Sequence, residues 1–92
     1  MTIIVKKATE VEKFEMQSKP TWECGISEFD WHYSDEERSF IAGGEVTVSY
    51  DGGSVTFGAE DYVVFPKGLS CVWNDTKPVK KHYVFIVKEQ AP

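Results

Sequence analysis

Turn-forming residues interrupt this chain every 6 to 12 residues from Pro20 onward, which leaves room for short strands and little else. The strongest of these signals is Asp51-Gly52-Gly53, set between Glu45 to Tyr50 and Ser54 to Phe57, and it predicts a hairpin. Gly43-Gly44, Gly58 to Asp61, Pro66-Lys67-Gly68 and the stretch from Asp75 to Pro78 mark further turns. Between them lie the candidate strands Glu28 to Tyr33, Glu37 to Ala42, Tyr62 to Phe65, Leu69 to Asn74 and Val79 to Val87, with Thr2 to Lys6 at the start. Only one segment reads as helical. Thr9-Glu10-Val11-Glu12 has the form of a capping box, Val11 and Phe14 give a short apolar face, and Pro20 ends it.

Eight or so short strands with no alternating helices fit an all-β barrel or sandwich and not a βαβ sheet. The 92 residues make one domain, 1–92. Surface scaling leaves about 64% of such a chain's surface to be buried, enough for one compact core that dimerisation would reinforce. The 14% aromatic content supplies large burial per residue. A chain this short must also pair or close its strand edges, which a jelly-roll barrel does.

Charge and composition exclude several functions. A net charge of −5 would on average be repelled by a phosphate backbone, so no nucleic-acid partner is expected. The cationic cluster Lys77, Lys80 and Lys81 reads as a solvated strand edge. Apolar runs such as Ile3 to Val5 and Tyr83 to Val87 are too short for a signal peptide or a membrane span. A cytoplasmic protein with no membrane partner is the expectation. Cys24 and Cys71 are then reduced thiols, and their spacing fits neither a redox pair nor a zinc knuckle.

Two segments resemble the paired motifs of the cupin family. The first of those motifs runs Gly, five residues, His-x-His, three or four residues, Glu, six residues, Gly. Asp30-Trp31-His32, four residues, Glu37, six residues and Gly44 are similar to it in spacing. The second motif carries Pro-x-Gly, two residues, His, and Pro66-Lys67-Gly68 followed by Cys71 matches it with a thiol for the imidazole. Trp22-Glu23, Phe65 to Leu69, Cys71-Val72-Trp73 and Pro78 through Tyr83 resemble a group of very small cupins related to the ureidoglycine aminohydrolase cupin domain. The resemblance implies a small jelly-roll β-barrel with one short N-terminal helical segment.

In metal-dependent cupins the motif histidines and glutamate hold a divalent ion. Carried over by position, the ligands would be Asp30, His32, Glu37 and Cys71, each a legitimate donor, although three imidazoles have become one. Alternation places Asp30 and His32 on one face of their strand and Phe29, Trp31 and Tyr33 on the other, and the resemblance implies that the Asp30 face looks into the barrel. The depleted set leads us to expect no cofactor, with zinc, iron, manganese or nickel as the alternative.

The same four residues and Trp73, which shares parity with Cys71, are expected to line a ligand pocket, and Phe29, Trp31, Tyr33 and Phe40 compete between pocket wall and core. Cys71 could act as a nucleophile with His32 as base, but neighbouring carboxylates would raise its pKa, and free cysteine commonly packs as a small hydrophobe. His82 reads as a half-solvated strand-edge group.

Three functions follow. The first is a cupin that binds a small polar metabolite in the barrel. The second is a metal-dependent enzyme resembling ureidoglycine aminohydrolase, with the ion as Lewis acid. The third is a structural homodimer whose barrel is filled by its own side chains, with Thr2 to Lys6 suited to swap onto a partner's sheet.

Overall fold

A computed structural model of the chain describes residues 1–87. Seven antiparallel strands and one helix follow in the order β1 (Ile4–Lys7), α1 (Glu10–Met16), β2 (Thr21–Cys24), β3 (Ser27–His32), β4 (Glu36–Tyr50), β5 (Gly53–Gly58), β6 (Asp61–Phe65) and β7 (Ser70–Ile86). This is a mostly β fold with one short N-terminal helix.

Two long strands carry the architecture. β4 and β7 pair along nearly their whole length, from Glu36 opposite Ile86 to Tyr50 opposite Cys71. At one end they are flanked by β6, β1 and β2, and at the other by β5 and β3. The two ends fold toward each other around a shared core, because Ile41, Val63 and Phe65 from one and Val46, Val48, Phe57 and Trp73 from the other belong to a single apolar cluster.

The turn signals at Gly43-Gly44 and at Asp75 to Pro78 therefore do not end strands. They bend them. Register shifts between Ile41 and Val46 mark bulges, which let one strand pass from the first half of the barrel to the second. Gly44 has φ +100, and a Cβ there would stand 2.3 Å from the carbonyl oxygen of Pro78. Only glycine lets the two bends nest.

The hairpin at Asp51-Gly52 forms as expected, with Tyr50 opposite Gly53. Thr9 caps α1 through the expected box: its Oγ1 accepts from the Glu12 amide at 3.1 Å, and the Glu12 carboxylate accepts from the Thr9 amide at 2.9 Å. The helix covers the outer face of the first half, where Met16 packs on Phe40 and Tyr62. Phe40 thus belongs to this outer cluster and not to a pocket wall. β2, which the sequence left unassigned between Pro20 and β3, is built by Trp22 and Cys24 facing inward and pairs with Thr21 opposite His82. No helix among the described residues is long and apolar enough to cross a membrane.

Substituting Gly44→Ala should destabilise the fold by at least ~2 kcal/mol, because left-handed strain and a backbone collision add. Gly43→Ala, where a Cβ meets nothing within 4 Å, should change it by less than about 1 kcal/mol. Urea unfolding of both variants measures the difference.

Candidate functional site

Residues from both halves of the barrel line a pocket of about 210 Å³: Trp22, Phe29, Trp31, Tyr33, Glu37, Trp73, Lys81, Tyr83 and Phe85. Strand parity assembles it. Phe29, Trp31 and Tyr33 come from one face of β3 and the turn after it, and Lys81, Tyr83 and Phe85 alternate along β7. Glu37 projects from the start of β4, where Glu37, Ser39 and Ile41 alternate inward.

The walls are aromatic and mutually braced. Tyr33 stacks on Phe65 with centroids 4.7 Å apart and planes 7° apart, and Trp73 Nε1 donates to Tyr33 Oη at 3.1 Å. Trp22 meets Trp73 edge-on, and Phe29 lies nearly parallel to Trp73. Such contacts hold ring positions as well as burying area. Burial, with the Glu37 charge nearby, drives the Tyr33 hydroxyl far above the ordinary phenol range, so it stays protonated. Trp31 and Phe85, 49% and 46% exposed, form the rim.

Two charges sit in this apolar setting. Lys81 is 6% exposed and Glu37 is 3% exposed, and Lys81 Nζ donates to Glu37 Oε2 at 2.5 Å. Ser39 Oγ donates to the same oxygen at 2.7 Å, which leaves Oε1 for an occupant. The ammonium also lies 4.8 Å from the Trp73 ring centroid and 5.2 Å from that of Trp22, so cation–π attraction offsets part of its desolvation. Burial pulls the Lys81 pKa down, while Glu37, Asp75 and Cys71 oppose it.

Of the five residues expected in the pocket, Glu37 and Trp73 line it. Asp30 and His32 do not. Both are exposed on the outer face of β3, where His32 Nδ1 bonds Ser70 Oγ at 2.8 Å, and both border a shallow outer depression. Cys71 is buried beneath the rim with its Sγ 3.7 Å from the Trp31 carbonyl oxygen. Burial raises its pKa, with Lys81 acting against the rise, and the thiol packs in the core and bonds the Trp31 carbonyl while His32 bonds Ser70. His82 faces outward too, its Nδ1 3.0 Å from the Lys19 carbonyl oxygen.

The proposed metal quartet is thereby scattered. Among the described residues no three His, Cys, Asp or Glu side chains stand close enough to hold one ion. The reason is a register of one residue. With three residues rather than four before Glu37, the inward pair of the first motif becomes Trp31 and Tyr33, and Gly25 falls at its leading glycine. Two histidine positions are then occupied by Trp31, which has no donor for a metal, and by Tyr33, whose hydroxyl burial keeps protonated and whose oxygen accepts from Trp73 Nε1. The donor set does not fit a divalent ion in the cupin position.

Sequence reasoning missed Lys81, the second polar group of the pocket, and with it the wall residues Trp22, Tyr83 and Phe85. Grouped with Lys77 and Lys80, Lys81 read as a solvated edge, but its parity with Val79, Tyr83 and Phe85 marks it as facing inward.

Over residues 11–83 the chain matches the EutQ-like cupin domain. It belongs to that family. A DUF861-family protein from Thermotoga maritima is 35% identical, with a TM-score of 0.87, over 92% of this chain and 100% of that one. A putative ethanolamine utilization protein Q from Salmonella typhimurium is 25% identical, with a TM-score of 0.66, over 71% of this chain and 53% of that one. The EutQ protein of Clostridium difficile is 22% identical over 71% and 52% of the two chains, with a TM-score of 0.66. This cupin thus spans about half the length of those two relatives. No curated protein matches it. The ureidoglycine aminohydrolase likeness narrows to this small EutQ-like and DUF861 group.

Removing one member of the buried pair should be costly, because it strands the other charge: Lys81→Met or Glu37→Gln alone should lose about 3–5 kcal/mol. The double variant should recover a substantial part, and a urea-unfolding double-mutant cycle reads the coupling.

A second measurement concerns Asp75, which is 0% exposed with no partner for either carboxylate oxygen among the described residues. Burial raises its pKa, opposed by Cys24 and Lys81. A raised folded-state pKa gives stability that is present below the unfolded value and lost as pH rises through the folded one. As pH rises above about 4, the ordinary carboxyl range, the wild type should lose stability relative to Asp75→Asn, which urea unfolding across a pH series measures.

Proposed function

We propose that this cupin binds a small molecule about the size of one ring in the barrel mouth, with its apolar body against the aromatic walls and a polar end on Glu37 and Lys81. The carrying observation is the buried ion pair at a solvent-reachable cavity. Such a pair adds little to stability that packed apolar side chains would not supply, so its place in the pocket is better accounted for by recognition. Ligand sites of this kind are mostly apolar with a few placed polar groups that fix orientation.

The size is adequate. An apolar cavity of about 150 Å³ takes up benzene, and the pocket here is about 210 Å³. Rim residues Trp31 and Phe85 offer apolar surface to an entering ligand. Glu37 Oε1 can accept from a donor on the ligand, and the remaining Lys81 N–H groups can donate to an acceptor. A ligand carrying both would meet the pair without breaking it. Two of the cupin ligand positions hold Trp31 and Tyr33, which leaves Glu37 and Lys81 as the charged groups that meet a ligand.

Trp22, Trp31 and Trp73 all line the pocket, so a bound ring should change tryptophan emission saturably. Titration with benzyl alcohol and benzamide should show binding that Glu37→Gln weakens by about tenfold, the worth of one hydrogen bond to a charged group. Asp30→Ala and His32→Ala should leave it unchanged. Emission that never responds to either compound would dismiss the reading.

A further inference from the structure

Lys81 is a buried lysine that lines an open cavity, and the hydrogen-bond partner of its Nζ is a carboxylate that can hold a proton. From this geometry we propose that Lys81 is a nucleophile that forms a reversible imine with small aldehydes entering the pocket, with Glu37 carrying the protons. The proposal rests on the pocket reading above and adds the class of ligand, a compact carbonyl compound.

The step balances within the pair. A proton passes from the Lys81 ammonium to Glu37 over the 2.5 Å bond, leaving a neutral amine beside a neutral acid. In an apolar site this exchange removes two charges from low dielectric, which is the direction that desolvation favours. The amine nitrogen attacks the carbonyl carbon, and the carbonyl electron pair moves onto oxygen, which takes the proton from Glu37. The nitrogen then returns a proton to Glu37. That proton goes to the hydroxyl, which leaves as water while the C=N bond forms. The product is a protonated imine with the Glu37 carboxylate as its counter-ion. Water reverses the sequence, so no oxidant or reductant is required.

Three features of the site favour this over an inert ion pair. The lowered pKa of Lys81 eases the first proton transfer, as it does for lysines activated by burial in apolar sites. The groups that face its ammonium are Glu37, Asp75 and Cys71, and among these Glu37 is within hydrogen-bond distance. The rings of Trp22, Phe65, Trp73 and Tyr83 surround Nζ at 4.8 to 5.8 Å, so a protonated imine formed there keeps the same cation–π setting as the ammonium.

The test uses the intact wild-type chain. Benzaldehyde is added with cyanoborohydride, which reduces any imine to a stable secondary amine, and the labelled lysine is located by peptide mapping. One adduct is expected, on Lys81, formed at least about tenfold faster than on any exposed lysine. In urea-unfolded protein that preference should vanish. Benzyl alcohol, which has no carbonyl, should protect Lys81 by competition.

Lys81→Arg keeps the positive charge but removes the primary amine, so it should lose the fast adduct and leave only the slow labelling of exposed lysines, with circular dichroism showing that the variant is folded. Label spread over exposed lysines with Lys81 spared, alongside a normal benzyl alcohol response, would overturn the amine chemistry and leave the pocket reading standing. Absence of both label and fluorescence response would remove the two together.

Discussion

The contact between Gly44 and Pro78 is the constraint on which the molecule depends. β4 and β7 run through both halves of the barrel, and each must turn at its middle without losing its partner. The turn is possible because a backbone with no Cβ lies against a carbonyl oxygen at a distance that no side chain could tolerate. Proline at the facing bend suits this arrangement, since it has no amide hydrogen to leave unpaired where the ladder is interrupted. Everything in the pocket comes from strands anchored to these two. Glu37 stands on β4 before its bend, Lys81 on β7 after its bend, and Trp73 on β7 before it.

That arrangement explains why a small chain can keep a charged pair inside. The aromatic residues that fill the barrel do so from both halves, with Phe57 and Trp73 packed on Phe65 and Tyr33. They hold the Lys81 stem in place and give its ammonium ring faces to rest on. Ser39, fully buried beside Glu37, supplies the second hydrogen bond that a buried carboxylate needs. Asp75 lacks such help, and the contrast between the two carboxylates comes from neighbouring donors and not from depth alone.

Much of the fold was legible in the sequence because its signals are local. The Thr9 capping box, the Asp51-Gly52 hairpin and the alternation of β3 each depend on a few adjacent residues, and each stands as read. What was misread depends on distant partners. Gly43-Gly44 looks like a strand end until Pro78 is placed against it, and Phe40 looks like a pocket wall until α1 is laid over the other face. The candidate site was legible only in part. Glu37 and Trp73 do line the pocket, but alternation says which residues share a face and not which face is inside.

The choice of face decides the chemistry. Setting Asp30 and His32 inward would give the barrel imidazole and carboxylate donors for an ion. Setting Trp31 and Tyr33 inward gives it rings, and a ring face attracts a cation without ligating it. The apolar bulk on that side of β3 favours this choice, since burying Asp30 and turning Phe29 and Tyr33 outward would forfeit the burial of both rings and of the inner half of Trp31. Glu37 keeps the glutamate position of the cupin motif, and the cation that it holds is supplied by the chain itself. Lys81 brings one positive charge where a divalent ion would bring two, and unlike an ion it also brings a nitrogen that can form a covalent bond.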